Sequence, residues 1–203
     1  MELDQYTQQI RPLNEDAVTA AWTHWDSLCK PLRGMGRLEE MAVQLAGIYG
    51  TAKLGEIADL KPVVAIMGAD NGVVEEGVSQ TGSEVTAQVL ENMGDRKSSV
   101  CIMSKQMGIE VIPVNIGMFV DGKHPRIWNR VVRYGTANMA KEPAMTRKEA
   151  VKAIETGIQV VKDLYEAGCR MIITGEMGIG NTTTSSAVAS VLLNEPVEKM
   201  TGR

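Results

Sequence analysis

One stretch combines side chains and a backbone pattern able to do chemistry: Met171-Ile172-Ile173-Thr174-Gly175-Glu176-Met177-Gly178-Ile179-Gly180-Asn181-Thr182-Thr183-Thr184. Its apolar β-branched opening reads as a buried strand, and Asn181 onward as a helix start. Glycines at 175, 178 and 180 let the backbone approach a ligand closely, and the free N–H groups of the first helical turn point at it. Such an arrangement can receive an anion. Glu176 stands in its middle and would repel a phosphate, so its carboxylate must face a sugar hydroxyl or a ring nitrogen. There it can act as a general base or hold ribose hydroxyls; as bare structure it would complement a helix dipole. A second polar group, Gly68-Ala69-Asp70-Asn71-Gly72, reads equally well as a ligand loop at a strand's carboxyl end and as plain turn chemistry.

Other chemistries find little support. There is no Walker A sequence, and Gly175-x-x-Gly178-x-Gly180 does not match the dinucleotide fingerprint. His24 and His124 lie far apart in the sequence, which gives a Ser-His-Asp arrangement or a metal centre little support, and no cofactor is expected. A net charge of -4 and 4% aromatic residues argue against nucleic acid as a partner. No apolar run is long enough to span a membrane, and Met1-Glu2-Leu3-Asp4 carries acids where a secretory signal would be basic. Cys29, Cys101 and Cys169 have no metal-type spacing and read as reduced, buried thiols of a cytoplasmic protein.

The elements that must position these residues follow from periodicity. Residues 2–52 read as helical, with Ala17, Val18, Ala21, Trp22 and Trp25 on one face, and Asn14 or Asp16 able to cap. Lys30-Pro31-Leu32-Arg33-Gly34-Met35-Gly36 breaks that run; Lys30, Arg33 and Arg37 there could reach a phosphate, but a solvated loop is the favoured reading. Val63–Met67 is a strand apolar enough to be central and parallel. Helices are expected after Ser83 and over 98–107. The strand Glu110–Ile116 contains Pro113, a sign of an edge or irregularity. Ile127–Tyr134 reads as a short extended segment, and Thr146 with Glu149 forms a capping box for a helix running to Ala167. The alternation predicts an α/β fold, a parallel sheet with helices on both faces, preceded by helices of a smaller part. The expected division is a helical segment over 1–55 and a nucleotide-binding α/β core over 56–203.

Several blocks together resemble a known family. Gly175-Glu176-Met177-Gly178-Ile179-Gly180-Asn181-Thr182-Thr183 is similar to the signature of nicotinate-nucleotide:dimethylbenzimidazole phosphoribosyltransferases. Gly36-Arg37-Leu38-Glu39, Ala69-Asp70-x-Gly72-Val73, Val85-Thr86-Ala87 and Gly135-Thr136-x-Asn138 with Pro143-Ala144-Met145 fit the same family, in its order.

The resemblance implies an α/β homodimer that transfers phosphoribose from nicotinate mononucleotide to 5,6-dimethylbenzimidazole, giving α-ribazole 5′-phosphate for cobalamin synthesis without a metal. By this likeness Glu176 lies at the ribose and base, while Gly175, Gly178, Gly180, Asn181 and Thr182 surround the nucleotide. Asp70 and Asn71, the loop with Ser79 and Thr81, and the following helix with Gln88 would border the aromatic base. Two departures stand out. Asn71 occupies a position where the family usually has His, which removes any titrating role there, and Leu32-Arg33-Gly34-Met35 replaces a Pro-Gly-Ser-Leu turn. Family chains continue beyond Arg203 into a segment that carries the glutamate usually assigned as general base. The expectation is that these 203 residues alone have little or no transferase activity. Alternatives are a non-catalytic nucleotide-binding subunit or fragment, a relative using phenolic acceptors, and a purely structural interaction protein, for which the glycine loop is richer than packing requires.

Overall fold

The computed structural model describes residues 3–56 and 60–202. The chain forms two compact units, Met1–Leu60 and Lys61–Arg203.

The first unit contains α1 (Leu3–Thr7), α2 (Glu15–Ser27) and α3 (Arg37–Tyr49). Asn14 caps α2 by accepting from the Ala17 N–H, as its position predicted. Ala21, Val43 and Ala46 form the seam between α2 and α3, flanked by Val18, Trp22 and Trp25. The basic loop is not simply solvated. Lys30 Nζ lies 2.9 Å from Oε1 of the fully buried Glu39, and Arg33 stacks on the Trp22 ring. The Lys30 ammonium holds the Glu39 carboxyl below its usual range, assisted by the Met35 N–H.

The second unit is a sheet with helices on both faces. Its elements are β1 (Val63–Ala69), α4 (Glu84–Gly94), α5 (Ser99–Gln106), β2 (Glu110–Gly117), β3 (Trp128–Asn129), α6 (Arg147–Glu166), β4 (Ile172–Met177), α7 (Asn181–Leu193) and α8 (Val197–Met200). The order across the sheet is β3-β2-β1-β4, and every pairing is parallel. On one face Val160 and Leu164 of α6 pack on Ala65 and Val114; on the other, Met93 and Cys101 pack on Val64 and Ile66. The expected fold class is therefore present, with one strand more than the apolar runs announced.

Local signals set several boundaries. Ser98 caps α5 by accepting from the Cys101 N–H, and Thr146 with Glu149 forms the capping box of α6. Pro113 fits β2 because β3 pairs only at Val114 and Asn115, so the proline sits where the outer side of β2 is open. The extended reading of Ile127–Tyr134 shrinks to the two residues of β3, and the tail after Val197 contains a short helix. Cys101 and Cys169 are buried, whereas Cys29 is exposed, contrary to expectation.

β4 also departs from its reading as a buried strand. It pairs with β1 alone among the described residues, and Ile173 and Thr174 are exposed. No residue of α7 is buried, although its C-terminal half carries Val188, Val191, Leu192 and Leu193.

Candidate active site

The carboxyl ends of β1 and β4 lie side by side, with Met67 opposite Glu176 and Gly68 opposite Met177. The β1–β2 register shifts between Gly68 and Ala69, turning the chain into Asp70. Asp70 is 2% exposed, and its Oδ2 accepts from the Phe119 N–H at 2.8 Å. Loss of hydration pushes the Asp70 carboxyl above its ordinary value, against the lowering effect of the Phe119 N–H and the Thr86 hydroxyl. The hydroxyl is near, yet Oδ1 makes no hydrogen bond of good geometry among the described residues. Asp70 is thus turned into the fold.

Beyond β4 the glycine loop is pressed onto the end of β1. A Cβ on Gly178 would strike the Ala69 carbonyl oxygen, and Gly180 has φ +82°. Both positions therefore require glycine, the first for space and the second for conformation. Ile179 is held between them: its N–H donates to Thr86 Oγ1 at 3.1 Å, and its carbonyl accepts from Asn71 Nδ2 at 2.9 Å. Asn71 Oδ1 in turn accepts from Thr184 Oγ1 at 3.3 Å, a proton that Thr184 shares with the Asn181 carbonyl at 2.9 Å.

Glu176 is exposed rather than buried, because β4 has no neighbour on its outer side among the described residues. Asn181 Nδ2 donates to both of its carboxylate oxygens, at 2.8 and 2.7 Å. The same Asn181 uses Oδ1 to accept from the Thr182 N–H at 2.8 Å. The Asn181 N–H donates to the Gly178 carbonyl, and the Thr183 N–H to the Gly180 carbonyl. The first-turn donors that the sequence offered as an open anion cradle therefore have internal partners. An anion would have to displace Asn181 Oδ1 to reach Thr182.

Glu176, Asn181 and Thr182 line a cleft of about 640 Å³, together with Thr183, Ser185 and Ser186. The lining also includes Val78, Thr201 and Gly202, with no Lys or Arg among these residues. Hydroxyls, one amide and one carboxylate suit a ligand rich in hydroxyl groups that carries a positive ring. Ser79, Thr81 and Gln88 are not part of this lining; Ser79 is half-buried and its hydroxyl accepts from the Thr81 N–H, while Gln88 is exposed on α4. Gly175 sits within β4 opposite Ile66. Glu75 and Glu76 are engaged elsewhere, by Asn138 Nδ2 and by Lys141 Nζ at 3.2 and 3.3 Å. No group of three metal-ligating side chains occurs among the described residues.

Thr86 and Thr184 did not stand out as site residues in the sequence. The available signal was Thr86 itself, a polar residue on the helical face that also carries Leu90 and Met93, where a buried hydroxyl needs a partner.

A parallel α/β unit with a glycine loop and a polar cleft at its strand carboxyl ends is the arrangement in which open α/β folds bind small molecules. The chain belongs to the phosphoribosyltransferase family, whose model it matches over residues 10–203. It is 46% identical over 201 residues to the nicotinate-nucleotide–dimethylbenzimidazole phosphoribosyltransferase of Clostridium tetani (strain Massachusetts / E88), covering 99% of this chain and 55% of that protein. The Ruminiclostridium cellulolyticum protein of the same name is 45% identical over 203 residues, covering 100% of this chain and 57% of the relative. Among solved structures it is similar to CobT from Thermus thermophilus, with a TM-score of 0.85 and 35% identity over 93% of this chain and 56% of that one. The chain thus spans a little over half the length of these relatives. The family read from the glycine motif and its companion blocks is borne out.

Proposed function

We propose that this chain provides the nucleotide side of phosphoribosyl transfer from nicotinate mononucleotide to 5,6-dimethylbenzimidazole. The products are α-ribazole 5′-phosphate and nicotinate, within cobalamin biosynthesis. The observation that carries this reading is the Glu176–Asn181 pair in a hydroxyl-lined cleft, on a chain 45–46% identical along its whole length to relatives of that name.

In this reading the cleft's hydroxyls hold the ribose of the nucleotide, and Glu176 faces C1′ and the departing pyridinium nitrogen. Positive charge develops at C1′ as nicotinate leaves, and a fixed carboxylate stabilises it. Asn181 holds that carboxylate in one orientation; the remaining tasks are to position two planar rings about the ribose and to take the second imidazole proton from the incoming base, the work of a general base. The loop with Ser79 and Thr81, Gln88 on α4 and the buried Asp70 border the base side. We propose further a cytoplasmic homodimer, in accord with the free thiols and the family likeness, acting on small molecules without metal, membrane or nucleic acid.

Calorimetry with nicotinate mononucleotide tests the reading. The expected result is single-site binding that weakens in Glu176→Gln and Asn181→Ala; no binding by the unmodified chain overturns it. Incubation with both substrates then separates the alternatives. Formation of α-ribazole 5′-phosphate assigns turnover to these 203 residues, while binding without product assigns them the nucleotide half alone.

A further inference from the structure

Both backbone polar groups of Ile179, in the glycine loop, are taken by side chains from other elements. Thr86 arrives from α4 and is fully buried; a helical threonine ordinarily turns its hydroxyl back to its own helix, but here Oγ1 accepts from the Ile179 N–H. Asn71 arrives from the end of β1 and spends both halves of its amide, donating to the Ile179 carbonyl and accepting from Thr184 Oγ1 in the first turn of α7. Gly178 lies against the Ala69 carbonyl from the same side. The loop is therefore pinned at its centre, with Glu176 three residues before Ile179 and Asn181 two residues after it. That spacing sets whether Asn181 can reach both carboxylate oxygens.

We propose that Asn71 and Thr86 are positioning residues that clamp Ile179 and thereby hold the Glu176–Asn181 pair in register for the nucleotide. The inference rests on the reading of the cleft as a nicotinate mononucleotide site. It assigns Asn71 an indirect role in place of a contact with substrate.

Amide hydrogen exchange and calorimetry on the 203-residue chain test it together. Thr86→Val keeps the shape and removes the acceptor; Ile179 is expected to exchange at least about tenfold faster, while the Val64 and Ile66 amides of β1 keep their rates. Thr86→Ser restores protection. Asn71→Ala loosens the same residue from its carbonyl side. In calorimetry Thr86→Val and Asn71→Ala each weaken nicotinate mononucleotide binding about fivefold to tenfold, and Thr86→Ser by less than about twofold.

Unchanged Ile179 exchange in both variants overturns the clamp. Faster exchange with unchanged affinity overturns the positioning role and leaves the nucleotide reading standing. Absence of binding by the unmodified chain overturns the nucleotide reading and the positioning role with it, and the exchange rates still decide whether Ile179 is held. Should Thr86→Val also raise exchange along β1, Asn71→Ala at its half-buried position decides the question.

Discussion

β1 and β4 are neighbours in one parallel sheet, and both end at the candidate site, yet their surroundings differ. In β1, Val64, Ala65 and Ile66 are buried, because α6 covers one face and α4 with α5 cover the other. In β4 the corresponding partners Ile173 and Thr174 are exposed, and α7 carries Val191 and Leu192 at 80% and 78% exposure. The β1 end delivers groups that are spent inside the fold: Asp70 on Phe119, Asn71 on Ile179 and Thr184. The β4 end delivers groups that face the cleft, Glu176 and Asn181. One strand supplies the anvil and the other the working surface. Similar apolar sequence, Val63-Val64-Ala65-Ile66 against Met171-Ile172-Ile173, thus serves opposite purposes according to what lies against it.

The largest effect should come from the covered side. Leu90 is fully buried with Met118 and Ile127, and Leu90→Ala is expected to cost about 2–5 kcal/mol in urea denaturation. A cost below about 1 kcal/mol would mean that the covered side is looser than its packing indicates.

Next comes the seam between the two ends. Gly178→Ala places a Cβ against the Ala69 carbonyl, which cannot yield without moving β1. The expected loss is about 1–3 kcal/mol, accompanied by weaker nicotinate mononucleotide binding. Wild-type stability in that variant would show that the loop does not press on β1.

A pH comparison sharpens the contrast further. Burial raises the Asp70 carboxyl, so its favourable contribution is fully present below the unfolded carboxyl value and is lost as pH rises through the folded one. The surface carboxylates run the other way. Lys141 and Asn138 lower Glu75 and Glu76, and the Thr146 N–H lowers Glu149, so their contributions are lost as pH falls through the folded values. Wild type should therefore gain stability relative to Asp70→Asn as pH drops from neutral toward the carboxyl range. Parallel urea midpoints across that interval measure the gap, and a gap independent of pH would contradict the burial of Asp70 as an ionisable group.

The smallest effect belongs to the open side. Leu192→Ala on α7 is expected to change stability by no more than about 0.5 kcal/mol, since the side chain is already in water. A cost matching that of Leu90→Ala would erase the distinction between the two regions.

Much of this was legible in the residues. Asn14, Ser98 and the Thr146–Glu149 pair announced their helix starts, because a cap is a bond between residues three apart. The helix start at Asn181 was legible in its polar Asn-Thr-Thr-Thr run. The glycine motif with its companion blocks carried the family, which the relatives bear out. Other features were hidden. β3 is two residues long and exists only because β2 offers it an edge. Gly72–Glu76 forms a 3₁₀ turn that nothing local separates from a loop. The strand leading to Glu176 read as buried, yet Ile173 and Thr174 are exposed, because an apolar run reveals that a strand forms but not how many of its faces are covered.

The sequence by itself determined the main helices and three of the four strands, their order, the glycine positions at 178 and 180, and the family. These depend on bonds, sterics and motifs read within a few residues of one another. Only the tertiary structure decided that the first-turn donors of α7 are already satisfied, and that Asn71 and Thr86 meet at Ile179 across separations of 108 and 93 residues. Those outcomes depend on which strand lies beside which and in what register, and no local pattern encodes that.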